Sequence, residues 1–279
     1  MTHTTKKTTT TTEPAWVRRL LIGLAVSFVT LFLFVPVGAV FVFAFAAGVG
    51  PWLRALLRPD TWHAIQLTLL VAAVVVPVNV VFGVACAWLL SRFRFFGKGL
   101  LLTVVDLPFS VSPVVAGLMF VLLFGRGGWF GPALHAHDVQ LLFAVPGIVL
   151  TTLFVTLPFV ARELLPVMQA QGFAEEEAAY TLGAGPWRTF FFVTLPKVRW
   201  ALLYGVVLAN ARALGEFGAV SVVSGHIRGA TITMPLQAEL LYNEYDAVGC
   251  WAVASLLALF SLLTLLAKKA IEHGLQERA

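Results

Sequence analysis

Arg212 and Glu216 are the residues whose type and position point most directly to chemistry. They stand four apart in an apolar stretch, so on a helix they share one face. An ionisable group at membrane depth costs about 3 kcal/mol on insertion scales, which makes it a functional-site hypothesis by default. The pair has two uses open to it. The guanidinium could draw a divalent oxyanion along a path, with Glu216 holding the Arg in place and Ser221 and Ser224 donating hydrogen bonds further out. Alternatively the two form an internal ion pair that locks helix against helix, since Glu216 would itself repel an anion. Asp106, near the end of an apolar run, is expected at an interface.

Other reactive side chains form weaker sets. His135, His137 and Asp138 could begin a metal site, but no further ligand follows at a convincing spacing, so a solvated loop is expected. Cys86 and Cys250 lie far apart, each inside an apolar run and outside any Cys-x-x-Cys pattern; they read as small core-filling thiols. No Gly-x-x-x-x-Gly-Lys-Ser/Thr phosphate loop is present, and Gly183-Ala-Gly185 lacks the third glycine of a dinucleotide fingerprint. A membrane-embedded enzyme would need paired carboxylates, a metal set or a nucleophile with its base. Arg212 and Glu216 alone do not make one.

The elements that must carry these residues are oily. The 279-residue chain is 59% hydrophobic and 12% charged, where a soluble domain is roughly 45–50% and 25%. Such an excess cannot be hidden in one globular core, so lipid is the expected solvent. Six apolar runs are long enough to span: about Leu20–Ala47, Ala64–Leu90, Leu100–Phe124, Leu141–Leu165, Ala201–Val223 and Val248–Ala267. The first is too long for a secretory leader and reads as a retained helix. Pro77, Pro108, Pro113 and Pro158 interrupt several runs, which is tolerated where neighbours satisfy the freed carbonyls. Residues 1–15 are Thr-rich and read as a disordered cytoplasmic tail, leaving 16–279 as one transmembrane domain. No internal repeat is evident.

Basic residues set the orientation. With the N-terminus inside, fourteen Lys and Arg fall on the cytoplasmic side and four outside, with Arg212 within a span. Both ends are then cytoplasmic. The net charge of +5 therefore reflects helix orientation and gives no argument for nucleic acid. Outside, Gly125–Gln140 is expected as a loop, and Ser224–Asp246 as a longer connection with a short helix around Pro235–Tyr242.

The longest patterned polar interruption runs from Glu175 to Pro196, within a cytoplasmic loop of about 168–198. Glu175, Glu176 and Glu177 suit the first turn of a helix, where acids complement the dipole. Ala178 and Ala179 favour helix and permit close approach of a partner. Gly183 falls where a helix would end, and Gly185-Pro186 makes a turn. A second short segment, Trp187–Thr194, is expected to be ended by Pro196. Taken on its physics, this stretch is equally an amphipathic connector lying on the membrane.

The pattern Glu177-Ala178-Ala179, Gly183, Leu195-Pro196, placed between the fourth and fifth of six spans, resembles the cytoplasmic signature loop of bacterial ABC importer permeases. Ala213-Leu-Gly-Glu-Phe-Gly218 looks like the sulfate and molybdate permease group. The continuation Ala219-Val-Ser-Val-Val-Ser-Gly225-His-Ile-Arg-Gly229, then Pro235-Leu-Gln237, is similar to the W-type sulfate/thiosulfate permeases. The resemblance covers about Val17 to Lys269. It implies an all-α, polytopic type I importer permease with six transmembrane helices, whose coupling helix, between helices 4 and 5, docks on a separate ATPase. It implies alternating access powered by ATP and Mg on that ATPase, with no cofactor and no catalysis on this chain. It implies a T-type permease partner, two ATPase subunits, a periplasmic sulfate-binding protein and residence in a bacterial inner membrane. A molybdate or tungstate permease acting as a homodimer is the near alternative. An ion-driven secondary transporter is the distant one, since it would show matched broken repeats and leave the loop without a purpose.

Overall fold

The computed structural model describes residues 14–276, with side chains as far as residue 270. The Thr-rich tail lies, up to residue 13, outside the described residues. The described residues are helical with no strand. Twelve helices follow one another: α1 Ala15–Phe45, α2 Val49–Leu56, α3 Pro59–Arg92, α4 Lys98–Ser110, α5 Pro113–Phe124, α6 Gly131–Ala136, α7 Val145–Gln171, α8 Ala174–Thr181, α9 Pro186–Leu214, α10 Gly218–Val223, α11 Met234–Asn243 and α12 Ala247–Gln276. Five of them, α1, α3, α7, α9 and α12, are long and apolar enough to cross a membrane. The pair α4–α5 makes a sixth span if taken as one, but it is bent by 109°.

That bend goes further than the interruption expected at Pro113. Val111 and Ser112 are extended, because the ring of Pro113 disfavours helical angles in the residue before it. Proline is then well placed to start α5, where its missing N–H costs nothing. A second departure lies in the fifth run. The helix expected over Ala201–Val223 begins instead at Pro186 and stops at Leu214, and the short α10 follows a break at Gly215–Phe217. The two short helices pack on each other: a methyl on Gly117 of α5 would lie 2.7 Å from the carbonyl oxygen of Ala219 in α10. Only a glycine lets the backbones approach so closely.

Pro196 does not end the Trp187–Thr194 segment. It lies inside α9, two residues after a π-helical turn, Phe190–Thr194, in which the Leu195 N–H reaches the Phe190 carbonyl. A proline ring clashes with the carbonyl four residues back and offers no donor to it. Widening the turn relieves both problems. α1 repeats the device at the same offset, with a π turn over Thr30–Phe34 ahead of Pro36 and Val35 N–H bonded to the Thr30 carbonyl.

The core sits where α3 and α7 run together, with α9 against α7. Leu90, Ile148, Leu164, Met168 and Val198 are buried there. Within the α3–α7 seam the amide of Asn79 donates to the Thr156 hydroxyl at 2.6 Å, and that hydroxyl donates to the Thr152 carbonyl. By contrast α1 fully buries only Ala44, and most of its other apolar side chains are exposed, which suits hydrocarbon. Cys86 and Cys250 are buried and unbridged, as small core residues are.

Candidate coupling loop and buried ion pair

The signature stretch folds into an eight-residue helix, α8, held across the end of the bundle where α3 and α7 finish. Gly172, at φ +66°, turns the chain out of α7. The three acids occupy the first turn, but they point in different directions. Glu177 is exposed, Glu175 pairs with Lys197 at 2.8 Å, and Glu176 is buried. Ala178 is exposed and Ala179 half-buried.

Gly183 closes the helix as its spacing predicts. Its N–H bonds the Tyr180 carbonyl and the Ala184 N–H bonds the Ala179 carbonyl, the paired bonds of a Schellman end. The glycine holds φ at +86°, and nothing lies within 4 Å of a Cβ placed on it. Gly183 therefore serves the backbone, and its outer side is open. The same loop carries exposed apolar side chains, Phe173, Tyr180, Leu182, Trp187 and Phe192, with Leu182 88% exposed. Leu195 is half-buried and Pro196 exposed.

Three residues that anchor this loop were not evident from sequence. Glu176 Oε1 accepts from Arg92 Nε at 3.2 Å, from Arg92 Nη2 at 2.8 Å and from the Thr194 hydroxyl at 2.6 Å. Arg92 also donates to the Met168 carbonyl at 2.9 Å and lies over the Phe173 ring. A buried carboxylate needs such partners, but nothing local marks Arg92, which is 84 residues away.

The second set is split by the break after α9. Arg212 belongs to the last turn of α9, whereas Glu216 lies beyond the helix end, which corrects the shared helical face expected of them. They meet nonetheless: Arg212 Nη1 is 2.7 Å from Glu216 Oε2, out of line for a hydrogen bond. Oε1 accepts the Ala219 N–H at 2.9 Å, so the carboxylate steadies the first turn of α10. Glu216 is buried and Arg212 about one-third exposed. Ser221 donates to the Gly218 carbonyl. Ser224 is buried, and its hydroxyl accepts the His226 N–H. Beside Glu216 is a cavity of about 10 Å³ lined by Thr68, Thr152 and Thr233, with room for a single water. Glu216 and the three threonines thus share one small polar cavity at the break, while the Ser221 and Ser224 hydroxyls bond to backbone nearby in the chain.

The remaining candidates separate. Asp106 meets Arg162 at 2.8 Å between α4 and α7, and Arg162 lies inside α7, not at its flank. His135 and Asp138 line a cavity of about 670 Å³ with Arg126; no metal-binding group of three or more His, Cys, Asp or Glu occurs among the described residues. The expected short helix around Pro235–Tyr242 is α11.

A bundle of apolar spans, one of them broken, with a short amphipathic helix carried across one end, defines a transport permease of the type I ABC importer fold. Its backbone matches one in the crystal structure of a bacterial alginate ABC transporter in complex with an alginate pentasaccharide-bound periplasmic protein, at a TM-score of 0.75 and 16% identity, covering 92% of this chain and 93% of that one. That likeness concerns fold alone. Residues 79–277 match the family described as binding-protein-dependent transport system inner membrane component, and the chain belongs to that family. The chain is 52% identical to the sulfate transport system permease protein CysW of Escherichia coli K12 over 263 residues, 94% of this chain and 90% of that protein. It is 37% identical to the sulfate transport system permease protein CysT of the same organism, over 88% of this chain and 89% of that one.

Proposed function

We propose that this chain is the membrane-spanning subunit of an ABC importer that carries sulfate and thiosulfate into the cell. The observation that supports this best is its 52% identity to a sulfate permease across 94% of the chain, with the signature loop folded as a helix at the bundle's end. In this reading α8 docks on an ATPase subunit through Glu177, Ala178, Ala179 and the exposed apolar rim. Gly183 shapes its end, and Leu195-Pro196 follow the π turn inside α9. Nucleotide and Mg act on that separate subunit. ATP-driven closure of the ATPase pair pushes α8 and switches the bundle between inward-open and outward-open forms.

The full assembly is this chain, a related permease of the CysT kind, two ATPase subunits and a periplasmic sulfate-binding protein, in the inner membrane. Both termini and the loop of about 168–198 face the cytoplasm, as the basic residues favour. Residues 16–279 form the permease domain behind the tail of 1–15. For Arg212 and Glu216 the burial and capping favour the internal-pair role. The exposed part of Arg212 is what remains for an oxyanion, with Ser221 half-buried in α10 and Ser224 buried.

The test is labelled-sulfate uptake in vesicles holding the partner subunits, with and without ATP and with competing molybdate. ATP-dependent uptake resistant to molybdate is expected. Uptake of molybdate in preference to sulfate, with no need for a second permease, would overturn the sulfate reading. Uptake driven by an ion gradient without ATP would overturn the ATPase reading.

A further inference from the structure

We propose that Arg92 is the positioning residue that joins α8 to the bundle and so converts movement of α8 into movement of the spans. The proposal rests on the coupling reading above. α8 is short, about 12 Å at 1.5 Å per residue, and it lies between two glycines at positive φ, Gly172 and Gly183. A helix mounted on two such joints would swivel when pushed. Something must fix its rotation for a push at its outer face to reach the spans.

The Arg92 guanidinium does this from one place. Two of its nitrogens hold Glu176 of α8, a third holds the Met168 carbonyl in the final turns of α7, and its plane lies 4.8 Å from the centre of the Phe173 ring in the connection between them. The same Glu176 oxygen takes the Thr194 hydroxyl from the π turn of α9. One buried cluster thus ties together the end of α3, the end of α7, the coupling helix and the start of α9. The side chains of Arg92 and Glu176 are 8% and 12% exposed, so salt screens them little. Planar guanidinium geometry matters here, because three directions are used at once and a lysine ammonium on its flexible stem cannot reproduce them. Glu175 and Lys197 add a second tie, but Glu175 is 63% exposed and such a pair holds weakly.

The arrangement separates docking from transmission. Glu177 and Ala178 face outward to meet a partner, whereas Glu176 faces inward to hold the bundle. Loss of the inward tie leaves the docking face in place and lets α8 turn idly.

The test uses the whole transporter in vesicles and reads two quantities together, ATP hydrolysed and sulfate taken up. For Arg92→Gln, Glu176→Gln and Arg92→Lys, the ATPase should still co-purify within twofold of the unaltered chain. Sulfate moved per ATP should fall tenfold or more for the first two and several-fold for Arg92→Lys. The double exchange Arg92→Glu with Glu176→Arg should regain part of the ratio lost by either change alone. Thr194→Val, which keeps the shape and removes one bond, should lower the ratio two- to fivefold and serves if a stronger variant fails to assemble. An unchanged ratio in Arg92→Gln, or in Thr194→Val where that alone assembles, overturns the proposal. So does a fall in uptake matched by an equal loss of bound ATPase. If the unaltered chain neither binds an ATPase nor takes up sulfate with ATP, the functional reading fails instead.

Discussion

Val160 of α7 is pressed against Gly83 of α3: a methyl group placed on Gly83 would lie 2.6 Å from the Val160 Cβ. On its other side Val160 meets Gly205 of α9, where an added Cβ would come 3.1 Å from its Cα. Three helices therefore converge on one fully buried valine through two glycines. Lipid tails are as apolar as the helices, so close packing of this kind, not exclusion of water, drives their association. Gly83→Ala should destabilise the bundle by about 1–3 kcal/mol, the usual cost of overpacking. Pairing it with Val160→Ala removes the Cγ1 contact at 2.7 Å but keeps the closer Cβ at 2.6 Å, so it should not restore the loss. Thermal unfolding of the purified protein in detergent checks both. An unaltered midpoint for Gly83→Ala would mean that the seam is looser than this geometry.

Gly183 allows strain and docking to be told apart. At φ +86° with open space around it, alanine costs only the left-handed conformation, about 1–2 kcal/mol. A phenylalanine pays the same backbone cost and has room in the isolated chain. Both variants should insert and unfold alike. The phenylalanine should additionally lose ATPase association by tenfold or more, measured by co-purification. Equal association for the two variants would remove Gly183 from the docking face.

Arg212 and Glu216 answer to a split between stability and transport. Arg212→Ala leaves the Glu216 carboxylate buried beside the Ala219 N–H, and should cost roughly 1–3 kcal/mol. Arg212→Lys keeps the charge. If Arg212 serves the internal pair, Arg212→Lys keeps most of the stability and leaves the KM for sulfate uptake unmoved. A several-fold rise in that KM with stability intact would assign Arg212 to the oxyanion's path.

Acid sensitivity should arise at the start of α12. Burial alone would raise the Asp246 carboxyl, but the Gly249 N–H and the Arg58 guanidinium outweigh it and hold the group below the usual carboxylate range. A carboxylate depressed in the folded state contributes stability above its unfolded value and loses it as pH falls through the folded one. The midpoint of unfolding should therefore drop on acidification below the ordinary carboxylate range. Asp246→Asn should lower the stability at neutral pH by less than about 1 kcal/mol, since the pair is partly exposed, and should flatten the acid limb. An acid limb of undiminished slope in Asp246→Asn would place the sensitivity elsewhere.

The sequence by itself determined the apolar spans, the short helix at Glu175–Thr181 and its glycine end. These follow from local rules, namely run length, acids in a first turn, and a residue that tolerates positive φ. It also placed Arg212 and Glu216 within reach of each other, since chain neighbours four apart remain close even when the helix between them stops. Only the tertiary structure decided that the third span bends at Val111–Ser112, that Pro196 widens α9 without ending it, and that Glu216 belongs to the break. Above all it decided which of three adjacent glutamates turns inward. Burial of Glu176 depends on Arg92, Met168 and Thr194, three residues from three other helices, and no periodicity along the chain carries that information. A proline's effect likewise depends on whether packing beyond it holds the helix together, and side-chain direction in a short helix is set by what the bundle offers it.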